Sequence, residues 1–136
     1  MSDDFTQCML SNSRMAARAI TRRYDAYLRP HGMTATQLSL LGSIRTLPGS
    51  TVSQLAEARG FERTTLTRNL DKLEQMDLVI SATQGRGRIA EMTPKGAALL
   101  RELVPLWRQA QAELRAELSS ETFDDSLNTL KRLSKV

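Results

Sequence analysis

Apolar residues at Met9, Ala16, Ile20, Tyr24 and Tyr27 recur at steps of seven, four, four and three. That spacing predicts one face of a long helix from about Asp4 to about Arg29, which Pro30 and Gly32 end. Arg14, Arg18, Arg22, Arg23 and Arg29 fall between the apolar positions and read as a solvated basic face.

Two further helices carry the same start signal, a Thr followed three residues later by Gln: Thr34 with Gln37, and Thr51 with Gln54. In each pair the Thr oxygen can accept from first-turn N–H groups while the Gln reaches back to the Thr backbone. The first helix turns Leu40, Ile44 and Leu47 inward and ends at Pro48-Gly49; the second, with Val52, Leu55 and Ala56 apolar, stops at Gly60. Beyond Gly60, Leu66, Leu70 and Leu73 step by four and three onto one helical face. The opposite face presents Thr64, Thr67, Arg68, Asp71, Lys72 and Gln75, flanked by Thr65 and Asn69.

At Leu78 the period changes to that of strands, with Leu78-Val79-Ile80 and the alternating run Arg88 to Met92 joined by Gln84-Gly85-Arg86-Gly87. Thr93 reads as an N-cap and Pro94 as the first residue of a long helix carrying Leu99, Leu100, Leu103, Leu106, Trp107, Ala110, Leu114 and Leu118, with a kink at Pro105. A last helix starts near Ser119 or Ser120, is acidic early at Glu121, Asp124 and Asp125, and is expected to bury Phe123, Leu127, Leu130 and Leu133.

A short helix, a Gly turn, a second helix and a hairpin with a basic tip, in that order, make a winged helix-turn-helix. The fold class expected is therefore mainly α, a winged helix-turn-helix with N- and C-terminal dimerisation helices. Residues 1–136 read as one domain: 1–32 and 97–136 dimerise, and 33–96 form a DNA-binding lobe with the helix-turn-helix at 51–76 and the wing at 78–93. With the leucine row docked, the polar face must point outward, and its Thr, Arg, Asn and Lys side chains suit base edges or phosphates of duplex DNA. Candidate contacts are Ser53, Arg63, Thr64, Thr65, Thr67, Arg68, Asn69 and Lys72, with Arg68 set against a base and Lys72 against phosphate. Arg86 and Arg88 at the wing suit a narrow minor groove.

Composition narrows the alternatives. The 136 residues are 40% hydrophobic but only 4% aromatic, which calls for an aliphatic core between helices, and a net charge of +4 favours an anionic partner. No run is apolar enough to span a bilayer, and the N-terminus carries no basic segment followed by an apolar one, so a cytoplasmic, nucleoid-associated protein with no membrane partner is expected. Cys8 is the only cysteine and cannot close an internal disulfide. Near a helix start and beside arginines, it is a candidate redox sensor. His31, the only histidine, and Met33 are candidates for a ligand pocket at the helix junction. One His and one Cys leave no metal-ligand set, and no phosphate loop or dinucleotide fingerprint occurs, so neither a cofactor nor an enzymatic activity is expected.

The segments Met33-Thr34-Ala35-Thr36-Gln37-Leu38, Leu55-Ala56-Glu57, Thr64-Thr65-Leu66-Thr67-Arg68, Leu73-Glu74 and Met92-Thr93-Pro94-Lys95-Gly96 together resemble the MarR family of bacterial regulators. The resemblance covers nearly the whole chain. It implies a homodimer whose first and last two helices interlock, two winged lobes reading a pseudo-palindromic operator, and a pocket between the lobes and the dimerisation region. In that pocket a small aromatic or phenolic effector would weaken DNA binding and release a repressor. It also implies DNA contacts at Thr64, Thr65, Thr67 and Arg68 and a minor-groove arginine at Arg86. The family commonly has Asp two residues before that arginine as a brace; here the position is Gln84. Relatives that sense organic peroxides through an early cysteine support it with tyrosines where this chain has Ala35 and Leu38. Two alternatives remain on this fold: an architectural DNA binder without an effector, and a protein-interaction winged helix that never touches DNA.

Overall fold

The leucine row is the centre of the core. Leu66, Leu70 and Leu73, at 0% exposure, dock α4 (Arg63–Gln75) against α2 (Ala35–Thr46) and α3 (Val52–Arg59). Around them close Leu40 and Leu41 of α2, Leu55 of α3, Leu103 of α5 (Pro94–Leu118), and Leu28 at the end of α1 (Met9–Leu28). The structure is a computed structural model that describes residues 3–85 and 87–135. Its remaining elements are the strands β1 (Val79–Gln84) and β2 (Gly87–Met92) and the final helix α6 (Ser120–Leu133).

Both predicted capping boxes form. Thr34 Oγ1 accepts from the Gln37 N–H at 3.2 Å while Gln37 Oε1 accepts from the Thr34 N–H at 3.0 Å. The Thr51 and Gln54 pair repeats this at 3.1 and 2.9 Å. Gly60 ends α3 at φ 71°, a left-handed conformation that a Cβ would strain. Asp77 takes a similar conformation after α4, at φ 60°, and the Leu78 N–H then reaches back to the Leu73 carbonyl at 2.9 Å. Lys95 adds a cap by donating to the Met76 carbonyl at 3.0 Å.

The two strands pair antiparallel from Val79 opposite Met92 to Gln84 opposite Gly87, so the hairpin turn is tighter than the four residues expected. Gly85 is left-handed there, at φ 59°. Thr51, just before α3, adds an isolated antiparallel bridge to Ile89 and so ties the inner edge of the hairpin to the lobe.

Several sequence expectations change. The first helix starts at Met9, not near Asp4, because the Asp4 carboxylate accepts from the Thr6 N–H at 3.0 Å and closes a 3-10 turn over Phe5–Gln7. At its far end, Arg29–His31 form a second 3-10 turn that closes at Gly32, φ 74°. Asp25 clamps this junction by accepting from the Ala35 N–H at 2.6 Å. Pro105 lies inside α5, which runs as one helix from Pro94 to Leu118. Of the four α6 residues expected inside, only Phe123 is buried, with Arg115 stacked 4.4 Å over its ring; Leu127, Leu130 and Leu133 are exposed. Phe5, Met9, Leu10, Met15 and Ile20, at the other end of the chain, are exposed as well. The chain therefore leaves apolar faces at both termini that its own lobe does not cover.

Candidate nucleic-acid interface

Burying the leucine row fixes what the other side of α4 presents. Arg63, Thr64, Thr67, Arg68 and Asp71 line one shallow concavity, and Lys72 is exposed one residue further on. Among the described residues neither Arg63, Arg68 nor Lys72 makes an ion pair, so three cations stand on this helix beside hydroxyl groups. Such a surface matches the spaced anions of a nucleic-acid backbone and the donor and acceptor pattern of base edges.

The remaining sequence candidates divide. Ser53 is exposed on α3, the neighbouring helix. Thr65 is half-buried and turned toward the cleft described below. Asn69 is half-buried and spends its amide on its own helix, donating to the Thr65 carbonyl at 2.9 Å. Arg86 lies outside the described residues.

Arg88 differs from the expectation of a free wing cation, because its guanidinium is already engaged within the protein. Nη2 donates to Asp71 Oδ1 at 2.9 Å and to Glu74 Oε2 at 3.2 Å, and Nε donates to Ser81 Oγ at 2.8 Å. The Ser81 hydroxyl in turn donates to Glu74. The strand alternation holds the signal that the sequence reading passed over: Arg88 shares a strand face with Ala90, which is buried, so its side chain leaves β2 on the inward side.

A second concave feature, a cleft of about 730 Å³, opens between α1, α2, α4 and α5. Ile20, Leu38, Phe61, Leu100 and Trp107 give it an apolar wall, and Arg45, Arg59 and Arg108 face it with Glu62 as the acidic neighbour. Tyr24, which hydrogen-bonds Gln111, stands at its side, and burial raises the Tyr24 phenol pKa. Neither His31 nor Met33 lines this cleft, which corrects their assignment as pocket residues. Met33 is buried in the core below the junction and His31 is exposed in the 3-10 turn. Sequence reading missed the lining because its residues are drawn from positions 20 to 108, and no local pattern links them.

Cys8 is half-buried at the residue preceding α1. It makes no side-chain cap hydrogen bond, yet the backbone N–H of Ser11, followed by the Ser11 hydroxyl, holds its thiol below the ordinary cysteine pKa. Among the described residues no group of three or more His, Cys, Asp or Glu side chains is arranged to hold a metal ion, and no helix is long and apolar enough to cross a membrane.

Comparison with known proteins agrees with this geometry. The sequence profile of the MarR family matches residues 31–89. The crystal structure of the Mycobacterium tuberculosis transcriptional regulator MosR is 38% identical, with 98% of this chain and 100% of that chain covered at a TM-score of 0.83. A structure of MosR in complex with DNA is 40% identical over 95% of both chains, at a TM-score of 0.82. A Cys-to-Ser mutant of MarR from Escherichia coli complexed with operator DNA is 26% identical, covering 97% of this chain and 99% of that one at a TM-score of 0.82.

Proposed function

The chain belongs to the MarR family of transcriptional regulators, and from that premise we propose that it is a homodimer that binds a pseudo-palindromic DNA operator and is released from it by a small effector. The observation that carries the DNA reading is the orientation of α4: its leucines are wholly buried, so Arg63, Thr64, Thr67 and Arg68 share one outward concavity. That helix enters the major groove, where Arg68 reads a base edge and Lys72 meets phosphate, with Thr65, Asn69 and Ser53 at the margin. Arg86, next to Gly85 in the sequence, is assigned to the adjacent minor groove.

The dimer is supported by the exposed apolar faces at the two ends of the chain, where Phe5 is 77% and Leu130 54% exposed. Apolar patches of this kind mark protein interfaces, and a two-fold pairing of α1, α5 and α6 covers both ends at once. It also spaces two α4 helices for half-sites about one turn of DNA apart.

The effector site is the cleft flanked by Phe61 and Trp107. Its volume is within the usual range for small-molecule sites, about 300–1,000 Å³. Its aromatic walls and three arginines suit a small aromatic molecule with an acidic or phenolic group. Because Thr65 of α4 shares the cleft with Tyr24, Leu100 and Trp107, an occupant bears on the pose of the DNA-reading helix. The protein then acts as a repressor in the cytoplasm, on the nucleoid, until the effector arrives.

The test is selection of bound duplexes from a random pool by the purified protein, repeated with phenols and aromatic acids. Recovery of one inverted-repeat consensus that is lost on adding such a ligand supports the reading; recovery of no sequence preference overturns it. A second reading, oxidation at Cys8 as the release signal, draws on its lowered pKa beside Ser11. Release by organic peroxide that is abolished by Cys8→Ser would favour it.

A further inference from the structure

We propose that Arg88 is a positioning residue that clasps the hairpin onto α4 and keeps Asp71 and Glu74 neutralised on the DNA-facing side of the protein. The proposal rests on the DNA-binding reading above.

Two tethers hold the hairpin. On its inner edge Thr51 bridges to Ile89; on the other side a four-residue clasp joins Arg88 of β2 and Ser81 of β1 to Asp71 and Glu74 of α4. A two-stranded ribbon is marginal alone, so what fastens it decides where its tip points. The clasp is consistent in its protons: Arg88 only donates, both carboxylates only accept, and the Ser81 hydroxyl accepts from Arg88 and passes its own proton toward Glu74. The Arg88 side chain is 27% and the Glu74 side chain 33% exposed, so the pair is partly withdrawn from solvent and embedded in a network, where charge-assisted bonds outweigh those of an isolated surface pair.

The same bonds explain how α4 tolerates acids beside a polyanion. Asp71 lies three residues after Arg68 and four after Thr67, within the same concavity. Without Arg88 its carboxylate, and that of Glu74 a turn later, would oppose phosphate and compete for Arg68.

The full-length protein is compared with Arg88→Ala, Ser81→Ala, Asp71→Asn/Glu74→Gln, and the triple variant of Arg88→Ala with both acid substitutions. Amide exchange over residues 79–92 in the DNA-free protein should speed up about tenfold in Arg88→Ala and by less in Ser81→Ala, with the Leu66, Leu70 and Leu73 amides unchanged. Affinity for a duplex selected by the wild type should fall about tenfold in Arg88→Ala, and that loss should shrink when the two acids are already neutral. Unchanged exchange, or an equal affinity loss in both backgrounds, would overturn the clasp and make Arg88 a direct DNA contact. If Arg88→Ala does not fold, Ser81→Ala carries the exchange measurement, and its protection at the wild-type level would equally overturn the clasp. Should the wild type select no duplex, the DNA reading fails while the exchange data still judge the clasp.

Discussion

Gly96 lies so close to Leu78 that a Cβ on it would sit 2.0 Å from the Leu78 carbonyl oxygen. Both are buried, and Leu78 joins the end of α4 to the hairpin through its bonds to the Leu73 carbonyl and the Thr93 N–H. The first turn of α5 is thereby seated on the root of the wing, backbone against backbone.

Gly96→Ala should therefore destabilise the fold although Gly-to-Ala in a helix ordinarily gains up to about 1 kcal/mol. The obstructing atom is a backbone oxygen that cannot rotate away, so a net loss of about 1–3 kcal/mol is expected. Gly42→Ala in α2, where a Cβ meets nothing within 4 Å, should instead gain about 0.5–1 kcal/mol. Thermal unfolding distinguishes the two: opposite shifts in Tm are required, and a rise in Gly96→Ala would refute the close seating.

Gly87→Ala tests the packing at the other edge of the hairpin. A Cβ there would meet Thr51 Cγ2 at 2.5 Å, and Thr51 cannot turn aside without withdrawing Oγ1 from the Gln54 N–H. Losing that cap would cost about 1 kcal/mol. Thr51→Ser keeps the capping oxygen and deletes the methyl group. Gly87→Ala should therefore cost clearly more in the wild type than in the Thr51→Ser background, measured by urea denaturation as a coupling between the two sites.

Arg68 and Lys72 should separate by what they read. Arg68→Ala should lose about 1–3 kcal/mol on the selected duplex and relax base preference at one position of each half-site. Lys72→Ala should weaken all duplexes alike and reduce the salt slope by about 0.9 for each phosphate that the lysine neutralises in the wild type. Binding curves at three salt concentrations on matched and mismatched duplexes decide it, and an unchanged sequence preference in Arg68→Ala would remove that residue from base reading.

The parts of the fold written locally are legible in the sequence. Thr34 with Gln37, Thr51 with Gln54, Thr93 with Pro94 and the leucine steps from Leu66 to Leu73 act within one or two helical turns, so the order of residues alone states them. What depends on distant partners is not. Arg88 meets carboxylates 14 and 17 positions away, and its placement at a basic hairpin hides that it points inward with Ala90. The cleft joins α1 to α5 across the lobe, while His31 and Met33, close to it along the chain, turn elsewhere. Leu127, Leu130 and Leu133 have the period of a buried face, but periodicity does not say whether the same chain or another provides the cover.

Leu130→Glu should reveal that cover. The side chain is 54% exposed in one chain, so a carboxylate there costs the isolated fold little. Placed in a two-fold interface it would be desolvated without a partner, with a cost of several kcal/mol. Sedimentation should show the wild type as a dimer and the variant as a folded monomer with unchanged helical circular dichroism; a variant that remains dimeric would exclude this face from the interface.

Cys8 offers a measurement of local electrostatics. The Ser11 backbone N–H is the largest influence on its thiol and the Ser11 hydroxyl the next, and both favour the thiolate, while desolvation works weakly against it. Lowering the pKa increases the thiolate fraction at any pH below it, so alkylation by iodoacetamide should accelerate through a lower pH range in the folded protein than in the protein unfolded by urea. Ser11→Ala keeps the backbone donor but removes the hydroxyl, so it should move the midpoint only part of the way back toward that of the unfolded chain. A midpoint identical in the folded and unfolded protein would show that the start of α1 does not activate this thiol, and would withdraw the physical support for oxidation at Cys8 as a signal.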